Sequence, residues 1–206
     1  MTALARRARA AGLDPLGQVQ DGDAVIHLFG PDPVAFWPLF SRSSEFSDGK
    51  PDPLDRWSKR VIGQLAQDVG GQAIFPSDGP PYPPFLEWAQ KSGQAWISAV
   101  GLMIHARAGL WLSFRGAIRV CGQTDDAQVM HNPCTTCMHK PCLSACPVAA
   151  MVPGTYDVAK CHNWLDQPDG DCMAAGCAIR RACPVSQTYG RVKAQSAFHM
   201  KAFHRS

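Results

Sequence analysis

The clearest periodicity in the chain is helical. Leu54, Trp57, Val61, Leu65 and Val69 recur at steps of three and four, which predicts an amphipathic helix with one face on a core. Asp52-Pro53 reads as an N-cap followed by proline at the first helical position, with Asp55 in the first turn, and Gly70-Gly71 ends the pattern. Residues 2–12 predict a short Ala/Arg helix closed by Gly12, and the apolar run 24–29 predicts a strand. Asp32-Pro33 opens a further helix that Pro38 should kink or shorten. From Trp96 to Val120 the pattern predicts strands: residues 96–105, a turn at 106–109, then residues 110–120, where Leu110, Leu112 and Phe114 alternate with Trp111 and Ser113. A short helix is expected around 85–90 and a final one over 187–204.

Between these elements, residues 76–84 hold five prolines and predict a rigid loop. Residues 122–133 are polar and mark a boundary. The expectation is an α+β chain with an α/β domain over 1–122 and a cysteine-bearing domain over 123–206. Apolar residues make up 46% and charged residues 18%, which describes a globular chain rather than a disordered one. No apolar run approaches the roughly 18 residues of a membrane span. Residues 1–18 carry basic side chains without an apolar core of signal-peptide length, so a cytoplasmic, non-membrane protein is expected.

The cysteines change the picture most. There are nine, an odd number, and eight of them lie between Cys134 and Cys183; Cys121 stands apart and reads as a buried, inert thiol. They form two runs, Cys134-x2-Cys137-x4-Cys142-x3-Cys146-Pro147 and Cys161-x10-Cys172-x4-Cys177-x5-Cys183-Pro184. The tetrapeptide Ala145-Cys146-Pro147-Val148 recurs as Ala182-Cys183-Pro184-Val185. Two four-thiolate runs, each ending in Cys-Pro, point to two 4Fe–4S clusters in a reducing compartment. The competing assignment is two structural zinc sites, but only Cys134 and Cys137 show the C-x2-C spacing usual there. In two-cluster ferredoxins the fourth cysteine of each run serves the other cluster. Carried over, that pattern groups Cys134, Cys137, Cys142 and Cys183 on one cluster, and Cys161, Cys172, Cys177 and Cys146 on the other.

The cysteine segment resembles the dicluster ferredoxin module of epoxyqueuosine reductases and corrinoid reductive dehalogenases. There the module follows a nitroreductase-like, cobalamin-binding domain. Residues 3–18 resemble the opening helix and turn of such reductases. Gly101–His105, Gly109–Trp111 and Phe114–Gly116 are similar to a hairpin of the eukaryotic cobalamin-processing protein. The resemblance implies a truncated nitroreductase-like domain before a small ferredoxin-like module, with cobalamin as an implied cofactor. It offers His105, Trp111 and Arg115 as residues that contact a corrinoid. Each also has an ordinary reading: a strand-end histidine bonded to backbone, a core indole, and a guanidinium paired with a carboxylate. Asp78 and Tyr82, in the proline-rich loop, are the nearest candidates for a proton donor and otherwise read as plain loop residues.

Three functions compete on this evidence. One is an electron-transfer protein without a substrate site. Another is an oxidoreductase, epoxyqueuosine reductase-like or dehalogenase-like, or a corrinoid-processing protein. The third is a non-catalytic corrinoid carrier or a structurally metallated binding module. After Asp171 the sequence has no acidic residue but carries Arg180, Arg181, Arg191, Lys193, Lys201 and Arg205. This basic segment suits an acidic redox donor, or a tRNA if the substrate is one.

Overall fold

The computed structural model describes residues 2–124, 130–168 and 170–204, and Arg205 of the basic segment lies outside them. The chain is α+β and divides into two compact units, residues 1–94 with 113–130, and residues 95–112 with 131–206. The expected boundary after residue 122 differs from this division, because residues 95–112 pack with the cysteine segment.

In the first unit, helix α1 (Ala3–Ala10) is capped by Thr2, whose hydroxyl accepts from the Ala5 amide, and Gly12 turns the chain at φ +85°. Strand β1 (Leu13–Asp21) pairs antiparallel with β2 (Ala24–Pro31). Interior Pro15 and Gly17 hide β1 from a periodicity reading; they coincide with a break in its register. Asp32 accepts from the amides of Val34 and Ala35 and opens α2 (Phe36–Ser41), which stays six residues long around Pro38. After α3 (Ser44–Ser47) comes α4 (Pro53–Asp68). Pro53 begins this helix as expected, but Asp52 has φ 51° and its side chain makes no cap bond.

The buried face of α4 is Leu54, Trp57, Ile62, Leu65 and Ala66, so the stripe turns slightly from the expected one and leaves Val61 and Val69 half-buried. Trp57 meets Phe36 and Phe40 edge-on at 5.2 and 5.9 Å. Strand β3 (Gln72–Ile74), the proline-rich loop and α5 (Phe85–Lys91) follow. The chain then leaves this unit through β4 (Ala95–Ile97) and β5 (Met103–His105). It returns to add β6 (Gly116–Cys121), giving an antiparallel sheet in the order β1-β2-β6-β3.

Two strand expectations are corrected here. The segment 96–105 is not one strand but a hairpin folded on itself, Trp96 opposite Ile104, because Gly101 takes φ +80° in its turn. Residues 110–114 are not extended into a ladder. Leu110, Trp111 and Leu112 are all buried, so their alternation in hydrophobicity is no guide to a two-sided strand.

The second unit is made of short elements: α6 (Pro133–Thr136), a 3₁₀ turn at Pro141–Leu143, the hairpin β7 (Met151–Val152) and β8 (Thr155–Tyr156), and α7 (Val158–Leu165). Then come α8 (Cys172–Ala175), α9 (Ala178–Ala182), α10 (Pro184–Thr188) and α11 (Lys193–His204). The expected single helix over 187–204 is therefore two, separated where Gly190 takes φ +81°. No described helix is long and apolar enough to cross a membrane.

The first unit holds a buried carboxylate whose ionisation matters to the fold. Glu45 receives two bonds from Arg60, Nε to Oε1 and Nη2 to Oε2, and these donors pull its pKa from 4.5 down to about 2. A carboxyl depressed in the folded state stabilises the fold above its unfolded pKa, and that contribution fades as pH falls. Denaturation followed as a function of pH should show the wild-type chain losing more stability than Glu45→Gln as pH drops from 4.5 toward 2. Parallel profiles for the two proteins would contradict this role.

Candidate metal centre

All nine cysteines are free thiols. Seven of the eight clustered ones sit in or beside turns and one-turn helices, and Cys161 lies in α7; Cys142, Cys172 and Cys183 are buried and the other five half-buried. Asn132 accepts from the Cys134 amide at 2.9 Å and starts α6, which presents Cys134 and ends at Cys137. Lys140, at φ 39°, turns the chain into the 3₁₀ segment that buries Cys142. Cys183 closes α9, and Pro184 starts α10 without an amide that would need a partner.

Cys134, Cys137, Cys142 and Cys183 line one cavity of about 470 Å³, with Ile104, Leu110, Pro133, Pro141, Pro184 and Val185 among its apolar walls. Burial raises the pKa of Cys134 and Cys142, and the neighbouring sulfurs push the same way. The backbone amide of Ala99, in the β4–β5 turn, donates to Cys134 and opposes that rise.

The other four thiols are Cys146, Cys161, Cys172 and Cys177. Burial raises the pKa of Cys161; Cys177, Cys146 and Cys172 add to the rise, while a hydrogen bond from Tyr156 opposes it. Burial, and then that same bond, push the Tyr156 hydroxyl far above its ordinary pKa. The Ala150 amide donates to Cys146 Sγ at 3.2 Å. Cys142 and Cys146 are four residues apart; the sulfurs that act on the Cys142 thiol are Cys134, Cys183 and Cys137, while Cys146 acts on Cys161.

A cavity of this size among four thiols suits a multi-atom cube better than one zinc ion, whose bonds to sulfur are only about 2.3 Å long. The donor chemistry and apolar walls thus fit a 4Fe–4S cluster held by thiolates. Among the described residues no group of three or more His, Cys, Asp or Glu side chains is gathered closely enough to hold a metal ion.

The remaining candidates are dispersed. His105 is buried, and its Nδ1 accepts from the amides of Arg107 and Ala108, the backbone role open to a strand-end histidine. Trp111 lies under the Arg191 guanidinium at 4.8 Å. Arg115 belongs to the first unit, pairs with Asp55 at 3.3 Å, and lines a separate cavity of about 260 Å³ with Ser58, Lys59 and Phe75. None of these three lines the thiol cavity, and Arg115 shares its own with neither of the others. Asp78 accepts from the Phe75 amide and Tyr82 is exposed. Cys121 is exposed at the end of β6, which corrects its reading as a buried thiol: it is the last residue of the strand, paired opposite Ala24.

In the basic segment, Arg180 donates to the Leu110 carbonyl, Arg181 grips Asp171 through both oxygens, and Arg191 bonds Ser196. Lys193 and Lys201 are exposed. The sequence pattern had no means of finding Tyr156, and it offered Arg180 only as one member of the basic segment.

Among curated proteins the chain is similar to an epoxyqueuosine reductase from Gloeobacter violaceus, at 35% identity over 115 residues. The match covers 55% of this chain and 33% of that relative, so it spans about a third of the curated protein's length. No family model and no solved structure matches the chain.

The wall that carries Leu110 is fixed by one buried bond, from the Leu110 amide to Ser186 Oγ at 2.8 Å. Gly109 leaves no room for adjustment beside it, since a Cβ there would sit 2.5 Å from the Ser186 nitrogen. Ser186→Ala strands a buried amide and should cost about 1–3 kcal/mol, read as a lower denaturation midpoint. An unchanged midpoint would show that the bond does not hold this wall.

Proposed function

We propose that this chain is an iron–sulfur electron-transfer protein carrying two 4Fe–4S clusters in a small ferredoxin-like module, preceded by a nitroreductase-like domain. The observation that carries the reading is the cavity shared by Cys134, Cys137, Cys142 and Cys183, which joins the first cysteine run to the last cysteine of the second. Cys161, Cys172, Cys177 and Cys146 are the ligands assigned to the second cluster. Their mutual influence on the Cys161 thiol supports that grouping.

When bound, each cluster supplies a one-electron carrier that forms and breaks no bond on transfer. The protein's part is to hold four thiolates per cluster, to keep water away with Ile104, Leu110 and Val185, and to direct amide hydrogens at Cys134 and Cys146. The electron comes from a reduced donor protein. An acidic donor is the partner that the exposed Lys193 and Lys201 favour by charge.

A second reading, an oxidoreductase that delivers these electrons to a cobalamin, is supported by the name of the similar protein. It rests on that relationship and not on a pocket shared by His105, Trp111 and Arg115.

The crossed grouping is tested by cysteine variants. In reduced samples examined by low-temperature EPR with iron and sulfide counts, Cys146→Ser should remove the signal that Cys161→Ser removes. Cys183→Ser should remove the one lost in Cys134→Ser, and Cys121→Ser should leave the iron content unchanged. If Cys146→Ser retains the same signal as Cys134→Ser, Cys146 belongs with the first run and the grouping is wrong.

A further inference from the structure

The cavity of about 260 Å³ in the first unit is lined from the first turns of α4, from the loop after β3, and by Arg115 just before β6. The Arg115 amide donates to the Phe29 carbonyl at 2.8 Å and its Nε to the Phe114 carbonyl at 2.9 Å, which fixes the backbone and one edge of the guanidinium. Nη1 meets Asp55 Oδ1 at 3.3 Å. The second hydrogen of Nη1 and both of Nη2 have no acceptor among the described residues. The side chain is only 17% exposed, and loss of water depresses its pKa more than Asp55 restores it. A cation so placed favours a further anion.

Lys59, one turn after Asp55 on α4, lines the same cavity. Its ammonium is 3.9 Å from Asp78 Oδ1, beyond hydrogen-bonding reach, and 5.8 Å from the centre of the Phe75 ring. Ser77 adds a hydroxyl without a partner among the described residues. The loop that carries Phe75 and Ser77 is pinned: Asp78 accepts from the Phe75 amide at 2.8 Å, and the Asp78 amide donates back to the Phe75 carbonyl at 3.0 Å. A wall formed in advance lowers the ordering cost of binding. Two acceptors complete the lining. Ser58 donates its proton to the Leu54 carbonyl at 2.7 Å, so toward the cavity its oxygen accepts. Asp55 bonds Arg115 through Oδ1, and its Oδ2 has no partner among the described residues.

We propose that this cavity binds a small phosphomonoester that carries hydroxyl groups, a sugar phosphate by chemical class. A phosphoryl group has a charge of about −1.5 to −2 at neutral pH and three acceptor oxygens, which serve Arg115, Lys59 and Ser77 together. The planar guanidinium matches two of those oxygens as a fork, whereas a carboxylate has only two oxygens, in one plane. Asp55 disfavours a bare anion, but its unbonded oxygen and that of Ser58 accept from ligand hydroxyls. The cavity is also far larger than a bare ion needs, since one water takes only about 30 Å³ of the liquid. Phe75 and Pro76 supply apolar surface for the carbon skeleton.

This site involves none of the cysteines and stands independently of the iron–sulfur reading. The full chain, purified anaerobically, is titrated by calorimetry with glucose 6-phosphate, inorganic phosphate and glucose. Glucose 6-phosphate should bind more tightly than inorganic phosphate, and glucose should give no binding over the same concentrations. Arg115→Lys should weaken glucose 6-phosphate by roughly tenfold, because an ammonium does not reproduce the fork. Lys59→Gln, at an exposed position, should weaken it by about threefold. Ser58→Ala should weaken glucose 6-phosphate and leave inorganic phosphate unchanged, a difference that loss of charge alone does not produce. If Arg115→Lys fails to fold, Lys59→Gln and Ser58→Ala still decide the matter. Absence of glucose 6-phosphate binding at millimolar concentration overturns the proposal. So does equal affinity for glucose 6-phosphate and inorganic phosphate, or wild-type affinity in both Lys59→Gln and Ser58→Ala.

Discussion

The second unit depends on bringing sulfurs from distant points of the chain to the same place. Its regular elements are short: hairpins with two- or three-residue strands and mostly one-turn helices, with only α7 and α11 longer. Elements of this length contribute little stability by themselves. What they do is place thiols. The buried core of this unit, built from Val100, Ile104, Leu110, Met151 and Ile179, includes Cys142 and Cys183 as members, so the candidate metal centre is part of the core. A metal or cluster bound at such a centre would couple binding to folding, as in small metal-bearing units.

That coupling explains features that would otherwise be costly. Proline after Cys146 and Cys183 removes an amide close to each sulfur. Strained positions fall at the turns that aim the ligands: Lys140 at φ 39° just before the Cys142 turn, and Ala149 at φ 49° where the chain passes Cys146. Each is reasonable if the sulfurs are charged and held, and less so if they are ordinary buried thiols.

Much of the first unit was legible because single residues announce their roles there. The helix from Pro53 and the turn at Asp32 follow from proline geometry and side-chain capping. Strand β1 was hidden by its own Pro15 and Gly17, residues that a strand reading rejects unless the bulge is known. The segment 96–114 misled in the opposite direction: continuous hydrophobicity does not distinguish one long strand from a hairpin whose sequel is buried on every side. For the candidate site, the cysteine spacing carried the donor set, and the two-cluster ferredoxin pattern carried the crossed grouping. Tyr156 had no signature, and Arg180 stood out only as one of the basic residues after Asp171.

Two cubes on the eight clustered thiols differ from single metal ions in the inorganic content they give the chain. The most direct test is to purify the chain anaerobically and measure iron, zinc and acid-labile sulfide per polypeptide. Two cubes give about eight iron and about eight sulfide, four of each per cluster. Stoichiometric zinc with no labile sulfide would contradict the two cubes.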